Sequence, residues 1–191
     1  MTESKPLLHP RKMLPLIFLG FGLILIAVSA YFIVREASPR TDFSTIPVKV
    51  NYAAPELTLT DTKGVSHSIA DYRGQVVLVN LWATWCPPCK EEMASLNHLS
   101  LLFANKNIKI VPISIDVSGA LTVRSFYERL GLNNLSIYVD PSKNVMDALR
   151  ITSIPTTILI GRDGREIGRT VGPAQWDAPA SVTRITAILG Q

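Results

Sequence analysis

Cys86 and Cys89 are the only two cysteines in a chain of 191 residues, and they stand three apart in Trp85-Cys86-Pro87-Pro88-Cys89. Thiols at that spacing can close a disulfide across one helical turn. The motif joins an apolar run, Gln75–Trp82, to a stretch of helical period, Pro87–Ala104. Cys86 therefore falls at a helix N-terminus, where unpaired N–H groups and the helix dipole favour a thiolate. A thiolate is the attacking species in disulfide exchange, and the strand end turns the pair outward, where a partner's disulfide can reach it. Other uses of two cysteines fit less well. A zinc site needs two further ligands, and His9, His67 and His98 are not suitably spaced to supply them, so no metal is expected. A purely structural bridge closing so short a loop constrains little of the unfolded chain. Dithiol redox chemistry is the expectation.

The elements that must hold the pair alternate in type. Leu57–Thr60 and Ser66–Ile69 flank Asp61-Thr62-Lys63-Gly64 and predict a hairpin. Gln75–Trp82 and Ile108–Ile115 are almost wholly apolar, as buried central strands require. Between them, Pro87–Ala104 places Met93, Leu96, Leu99 and Phe103 near one helical face. Ala120–Leu130 predicts a helix that stops at Gly131. A short strand at Ile137–Asp140 and a short helix at Lys143–Arg150 follow. Thr156–Ile160 and Glu166–Thr170 flank Gly161-Arg162-Asp163-Gly164 and predict an antiparallel hairpin. Trp176–Leu189 predicts a closing helix. The alternation points to an α/β fold, a mixed sheet covered by helices.

Mean hydropathy is +0.24 and 47% of the residues are hydrophobic against 18% charged, which excludes a disordered chain. The net charge of +4 is too small and too scattered to indicate nucleic acid. The hydropathy concentrates in residues 14–34, which carry no charge. At about 1.5 Å per residue such a helix spans about 31 Å, close to a bilayer's hydrocarbon core. Lys5, Arg11 and Lys12 precede it, so the positive-inside rule puts the N-terminus in the cytoplasm and the rest of the chain outside. The alternative is a signal peptide cleaved after Val28-Ser29-Ala30, but the apolar run exceeds a usual signal core and continues to Val34. The expected organisation is a cytoplasmic segment 1–13, a transmembrane anchor 14–34, a linker 35–52 and one domain over 53–191.

Beyond the two cysteines, several stretches carry a family resemblance. Ala54-Pro55-Glu56-Leu57, Tyr72-Arg73-Gly74-Gln75, VLVNLWATWCPPCKEE (Val77–Glu92), Tyr138-Val139-Asp140, Ser153-Ile154-Pro155-Thr156-Thr157 and Asp163-Gly164 together resemble the membrane-anchored TlpA/ResA-like thiol-disulfide reductases of the thioredoxin superfamily. The resemblance covers about Ala53 to Gly190. It implies a thioredoxin fold with an extra N-terminal hairpin. It implies that Cys86 is the exposed nucleophile, Cys89 the more buried resolving thiol, and Pro155 a cis-proline beside them. A cis bond there would leave the Ile154 backbone able to pair with a bound peptide.

Glu92 matches an acidic residue that some ResA-like members use to tune the thiols. One turn beyond Cys89, it would take a proton from that thiol and raise the thiol pKa values by repulsion. The alternative is a solvated glutamate like Glu91 beside it. Asn80 departs from thioredoxin, which has a buried acidic residue there, and an asparagine cannot transfer a proton. Trp85 is expected to cover the dithiol, and Trp82 and Met93 to pack in the core. Pro87 and Pro88 lack N–H groups, removing two amides from the set available to stabilise the Cys86 thiolate. A reducing potential is expected, nearer thioredoxin's about −270 mV than the oxidant DsbA's about −120 mV.

The resulting expectation is an anchored disulfide reductase in the bacterial inner membrane, its catalytic domain in the periplasm. Its substrates would be disulfides of apocytochrome c or of copper-site assembly proteins, and a membrane thiol transporter would supply electrons. The substrate-contacting residues would be Trp85, Pro87, Pro88, Ile154 and Pro155, with no cofactor. The rivals are a dithiol oxidase or isomerase, a Cu(I) chaperone using both thiols as soft ligands, and a peroxiredoxin. The peroxidatic threonine-x-x-cysteine pattern is absent, since Thr84 lies two residues before Cys86.

Overall fold

The computed structural model describes residues 24, 26–31 and 52–190. Residues 26–31 are helical. Most of the predicted 14–34 span, the segment 1–13 and linker residues 35–51 lie outside the described residues. Among the described residues no helix is long and apolar enough to cross a membrane.

Eight strands form one mixed sheet: β1 (Tyr52–Ala53), β2 (Thr58–Asp61), β3 (Ser66–Ser68), β4 (Val76–Trp82), β5 (Ile108–Ser114), β6 (Tyr138–Val139), β7 (Thr156–Ile160) and β8 (Arg165–Val171). Their spatial order is β1-β8-β7-β4-β5-β6-β2-β3. β4 lies parallel to β5 and antiparallel to β7, and all seven of its residues are buried. Its nearly continuous apolar run is thus explained by a neighbour on each edge and cover on both faces. The predicted β2–β3 hairpin forms, its turn closed by Asp61 Oδ1, which accepts from the Lys63 and Val65 N–H groups at 2.8 and 2.9 Å. It extends the sheet through β2, which pairs antiparallel with β6. The β7–β8 hairpin also forms as predicted. On its far side β8 pairs with β1, so Tyr52, the last residue assigned to the linker, is a strand residue. Two paired residues carry no readable period, which is why the sequence did not reveal β1.

Among the described residues from 52 onward, four α-helices accompany the sheet: α1 (Pro87–Leu102), α2 (Ala120–Leu130), α3 (Asn144–Ala148) and α4 (Pro179–Leu189). The core joins β4, β5 and β7 to Met93, Leu96 and Leu99 of α1, Val123 and Phe126 of α2, and Ile185 and Ile188 of α4. Trp82 is fully buried against Phe126 and Tyr127, with ring centroids 5.1 and 5.9 Å away. Gly131 caps α2 in the left-handed region at φ 65°, as predicted.

Three helices differ in their bounds from expectation, and α3 is the shortest, spanning Asn144–Ala148 rather than Lys143–Arg150. α1 stops at Leu102, where the Ala104 N–H turns back to the Leu101 carbonyl, tightening the chain into the turn before β5. α4 starts at Pro179 rather than Trp176. Ala178 is extended, as a residue before proline prefers. The preceding segment binds α1 instead, as described next.

Candidate active site

Helix α1 begins at the end of β4, and Cys86 is its N-cap residue. Pro87 and Pro88 fill the first helical positions, where an N–H would have no intrahelical partner anyway. The Cys89 N–H is therefore the first amide able to serve the cap, and it lies 3.3 Å from Cys86 Sγ. The two cysteines are joined by a disulfide.

Cys86 is less open than a freely exposed nucleophile. It retains 4% of its surface and Cys89 none. The expected order of accessibility holds, but the expected exposure of Cys86 does not. The reason is the loop across from it: the Ile154 carbonyl oxygen lies 4.0 Å from Cys86 Sγ. The Ile154–Pro155 bond is cis, as the resemblance implied. Ile154 is half-buried and Pro155 buried, and the Pro155 carbonyl accepts from the Gly172 N–H at 2.8 Å. Trp85 is 59% exposed, a large apolar surface directly before the dithiol. Pro87 is exposed and Pro88 half-buried. Trp82 and Met93 are core residues, as expected.

Glu92 is not the solvated alternative. It is 2% exposed, whereas Glu91 beside it points to solvent. Its Oε1 accepts from Asn80 Nδ2 at 2.7 Å. Its Oε2 accepts from the Ala174 N–H at 3.0 Å and from the Trp176 indole N–H at 3.2 Å. Burial pushes its carboxyl up to about 7, against the pull of those three donors. Asn80, itself fully buried in β4, also donates to Thr157 Oγ1 of β7 at 2.9 Å. Glu92 thus links β4, α1 and the segment before α4. Two more bonds close that segment onto α1: the Trp176 N–H to Ser95 Oγ at 3.2 Å, and His98 Nδ1 to Asp177 Oδ2 at 3.0 Å.

A second buried carboxylate holds the loop before Cys86. Asp116 accepts from the Thr84 N–H at 2.9 Å, the Thr84 hydroxyl at 2.6 Å and the Ser114 hydroxyl at 2.6 Å. It ties the end of β5 to Thr84, two residues before Cys86. Neither Asp116 nor Trp176 stood out in the sequence. Asn80 did, as a polar residue in an apolar strand, but its partner lies twelve positions away on another element.

No group of three or more His, Cys, Asp or Glu side chains is placed to hold a metal among the described residues. A dithiol at a helix N-cap beside a cis-proline, on a mixed sheet with helical cover, defines the thioredoxin class of thiol-disulfide proteins. The Redoxin family model matches residues 49–189, and the chain belongs to that family, among its ResA/TlpA-like thiol-disulfide oxidoreductases. It is 38% identical over 117 residues to thiol-disulfide oxidoreductase ResA of Geobacillus kaustophilus, covering 61% of this chain and 66% of that protein, slightly less than two thirds of it. It is 36% identical over 118 residues to ResA of Geobacillus thermodenitrificans, covering 62% and 67%. The fold is that of StoA from Bacillus subtilis, with a TM-score of 0.58 at 24% identity, covering 69% of this chain and 99% of that one.

Proposed function

We propose that the protein is a membrane-anchored reductase of protein disulfides, with residues 14–34 as its anchor and the 53–191 domain outside the cytoplasm. The observation that carries the redox reading is the Cys86–Cys89 disulfide at the N-terminus of α1, open to a partner only at Cys86.

In the reduced protein the Cys86 thiolate attacks one sulfur of a substrate disulfide. A Cys86–substrate disulfide forms, and the other substrate sulfur leaves as a thiolate that takes a proton. Glu92 accepts the Cys89 proton, and the Cys89 thiolate attacks Cys86 Sγ. The second substrate sulfur leaves and is protonated. The substrate has gained two electrons and two protons, and the protein returns to the disulfide form. A peptide lying along Ile154 would be positioned by backbone pairing as an added strand. Trp85 supplies apolar contact next to the reacting sulfurs. A membrane thiol transporter returns two electrons for each turnover. Disulfides of apocytochrome c CxxCH segments, or of copper-site assembly proteins, are the substrates proposed.

The testing measurement is the Cys86–Cys89 reduction potential against glutathione and dithiothreitol buffers. A value below about −230 mV supports a reductase with a dedicated electron supply, whereas about −120 to −180 mV would make the protein an oxidant or isomerase.

A further inference from the structure

All three groups that bind the Glu92 carboxylate are donors: Asn80 Nδ2, the Ala174 N–H and the Trp176 indole N–H. That set suits the ionised carboxylate. A carboxylic acid carries a hydrogen of its own, and here it would face an N–H on every side. The site is nearly closed, with Glu92 at 2% exposure and Asn80 at 0%, so bulk water does not readily supply an acceptor. A residue that passes a proton in such a site needs a partner able to bind both forms.

Asn80 is the one member of the set with an acceptor to offer. Ala174 presents a backbone N–H, and indole nitrogen is a donor only. The Asn80 amide donates through Nδ2 to both Glu92 Oε1 and Thr157 Oγ1, while its Oδ1 is buried with no hydrogen-bond partner. Turning that amide over places Oδ1 between the same two oxygens. There it accepts from a protonated Glu92 and from the Thr157 hydroxyl, which can donate or accept. Two hydrogen bonds are kept in each state. The turnover needs rotation only about the bond to the planar amide, with no backbone change.

We propose that Asn80 is a positioning residue whose side-chain amide reverses each time Glu92 gains or loses a proton, so that the buried carboxyl can exchange protons without losing its partner. The catalytic use of this exchange rests on the reading of Glu92 as the Cys89 proton acceptor. The reversal itself rests on the hydrogen bonds alone. Asn80 from β4, and the Ala174 N–H and Trp176 indole from the segment before α4, are the groups bonded to Glu92. Thr157 of β7 completes the chain through Asn80. The other titratable groups on the same helix are Cys89, here oxidised, Lys90 and Glu91, both exposed to solvent, and His98, which is paired with Asp177. No charged side chain contributes to the upward shift of Glu92, whose cause is burial.

The test is nuclear magnetic resonance on the oxidised full chain in detergent micelles, labelled at asparagine nitrogen, threonine methyl and glutamate carboxyl carbon. Above the Glu92 midpoint, the Asn80 amide protons should show a cross-peak to the Thr157 methyl. Below it, that cross-peak should weaken severalfold, with the same midpoint as the Glu92 carboxyl carbon. In Glu92→Gln, whose new amide must donate to Asn80, the weak form should persist at every pH. A cross-peak of constant strength across the Glu92 titration overturns the proposal, as does a pH-dependent one in Glu92→Gln. Single-turnover resolution by Cys89 separates the two readings. If Glu92→Gln resolves as fast as wild type, the proton-acceptor role falls while the reversal stands.

Discussion

Replacing Glu92 by glutamine tests whether the buried carboxyl is as perturbed as its surroundings imply. Burial raises it from 4.5 to about 7. At about 1.4 kcal/mol for each tenfold change in proton affinity, that shift corresponds to about 3 kcal/mol. The sign follows from which state holds the proton more tightly. The folded state does, so its advantage is complete below pH 4.5 and is lost as pH rises through 7. Relative to Glu92→Gln, the wild-type protein should therefore lose about 3 kcal/mol between pH 4.5 and pH 8. Denaturant unfolding of both oxidised proteins across that range measures the difference. Working with the disulfide intact removes thiol titration from the comparison. Asp61 and Asp177 are lowered by their histidine partners, so their losses fall below the window and are common to both proteins. Parallel stability curves for the two proteins would refute the reasoning, because they would mean that the folded site does not penalise the ionised carboxylate.

Cys89→Ser should trap a mixed disulfide between Cys86 and a substrate peptide, seen by mass spectrometry, while Cys86→Ser should form none. Pro87→His restores a backbone N–H at the first helical position. If that amide reaches the Cys86 thiolate with about 1.5–3 kcal/mol, the couple should become more oxidising by about 30–60 mV, and an unchanged potential would remove the proline from the account. Asp116→Ala strips the acceptor from the Thr84 N–H, the Thr84 hydroxyl and the Ser114 hydroxyl. Leaving buried donors unpaired should destabilise the domain by about 3 kcal/mol, as read from the unfolding midpoint.

Much of the frame was legible because its signals are local. The apolar run of β4, the turn residues of both hairpins and the glycine that ends α2 each act over a few neighbours, and each formed as read. The dithiol was legible for the same reason: its spacing and its place before a helix are properties of one short segment. The family resemblance added what no local signal carries, the cis bond at Pro155. Other features had no such signal. β1 is two residues long and exists only because β8 offers an edge. Residues Trp176 to Ala178 are predicted from sequence as the start of the closing helix, but the segment from Ala174 is held instead by Glu92, Ser95 and His98 of α1.

By itself the sequence determined the chemistry available: two thiols at a helix start, a glutamate one turn on, and an asparagine where thioredoxin has an acid. The tertiary structure decided what those groups experience. It buried Glu92 among three donors, left only a small part of Cys86 exposed with the Ile154 carbonyl 4.0 Å from its Sγ, and fixed the loop before the dithiol with Asp116. Acidity and access depend on desolvation and on partners brought from distant parts of the chain. Glu92 and Trp176 are 84 positions apart in sequence and 3.2 Å apart in the fold, a contact that no local pattern encodes.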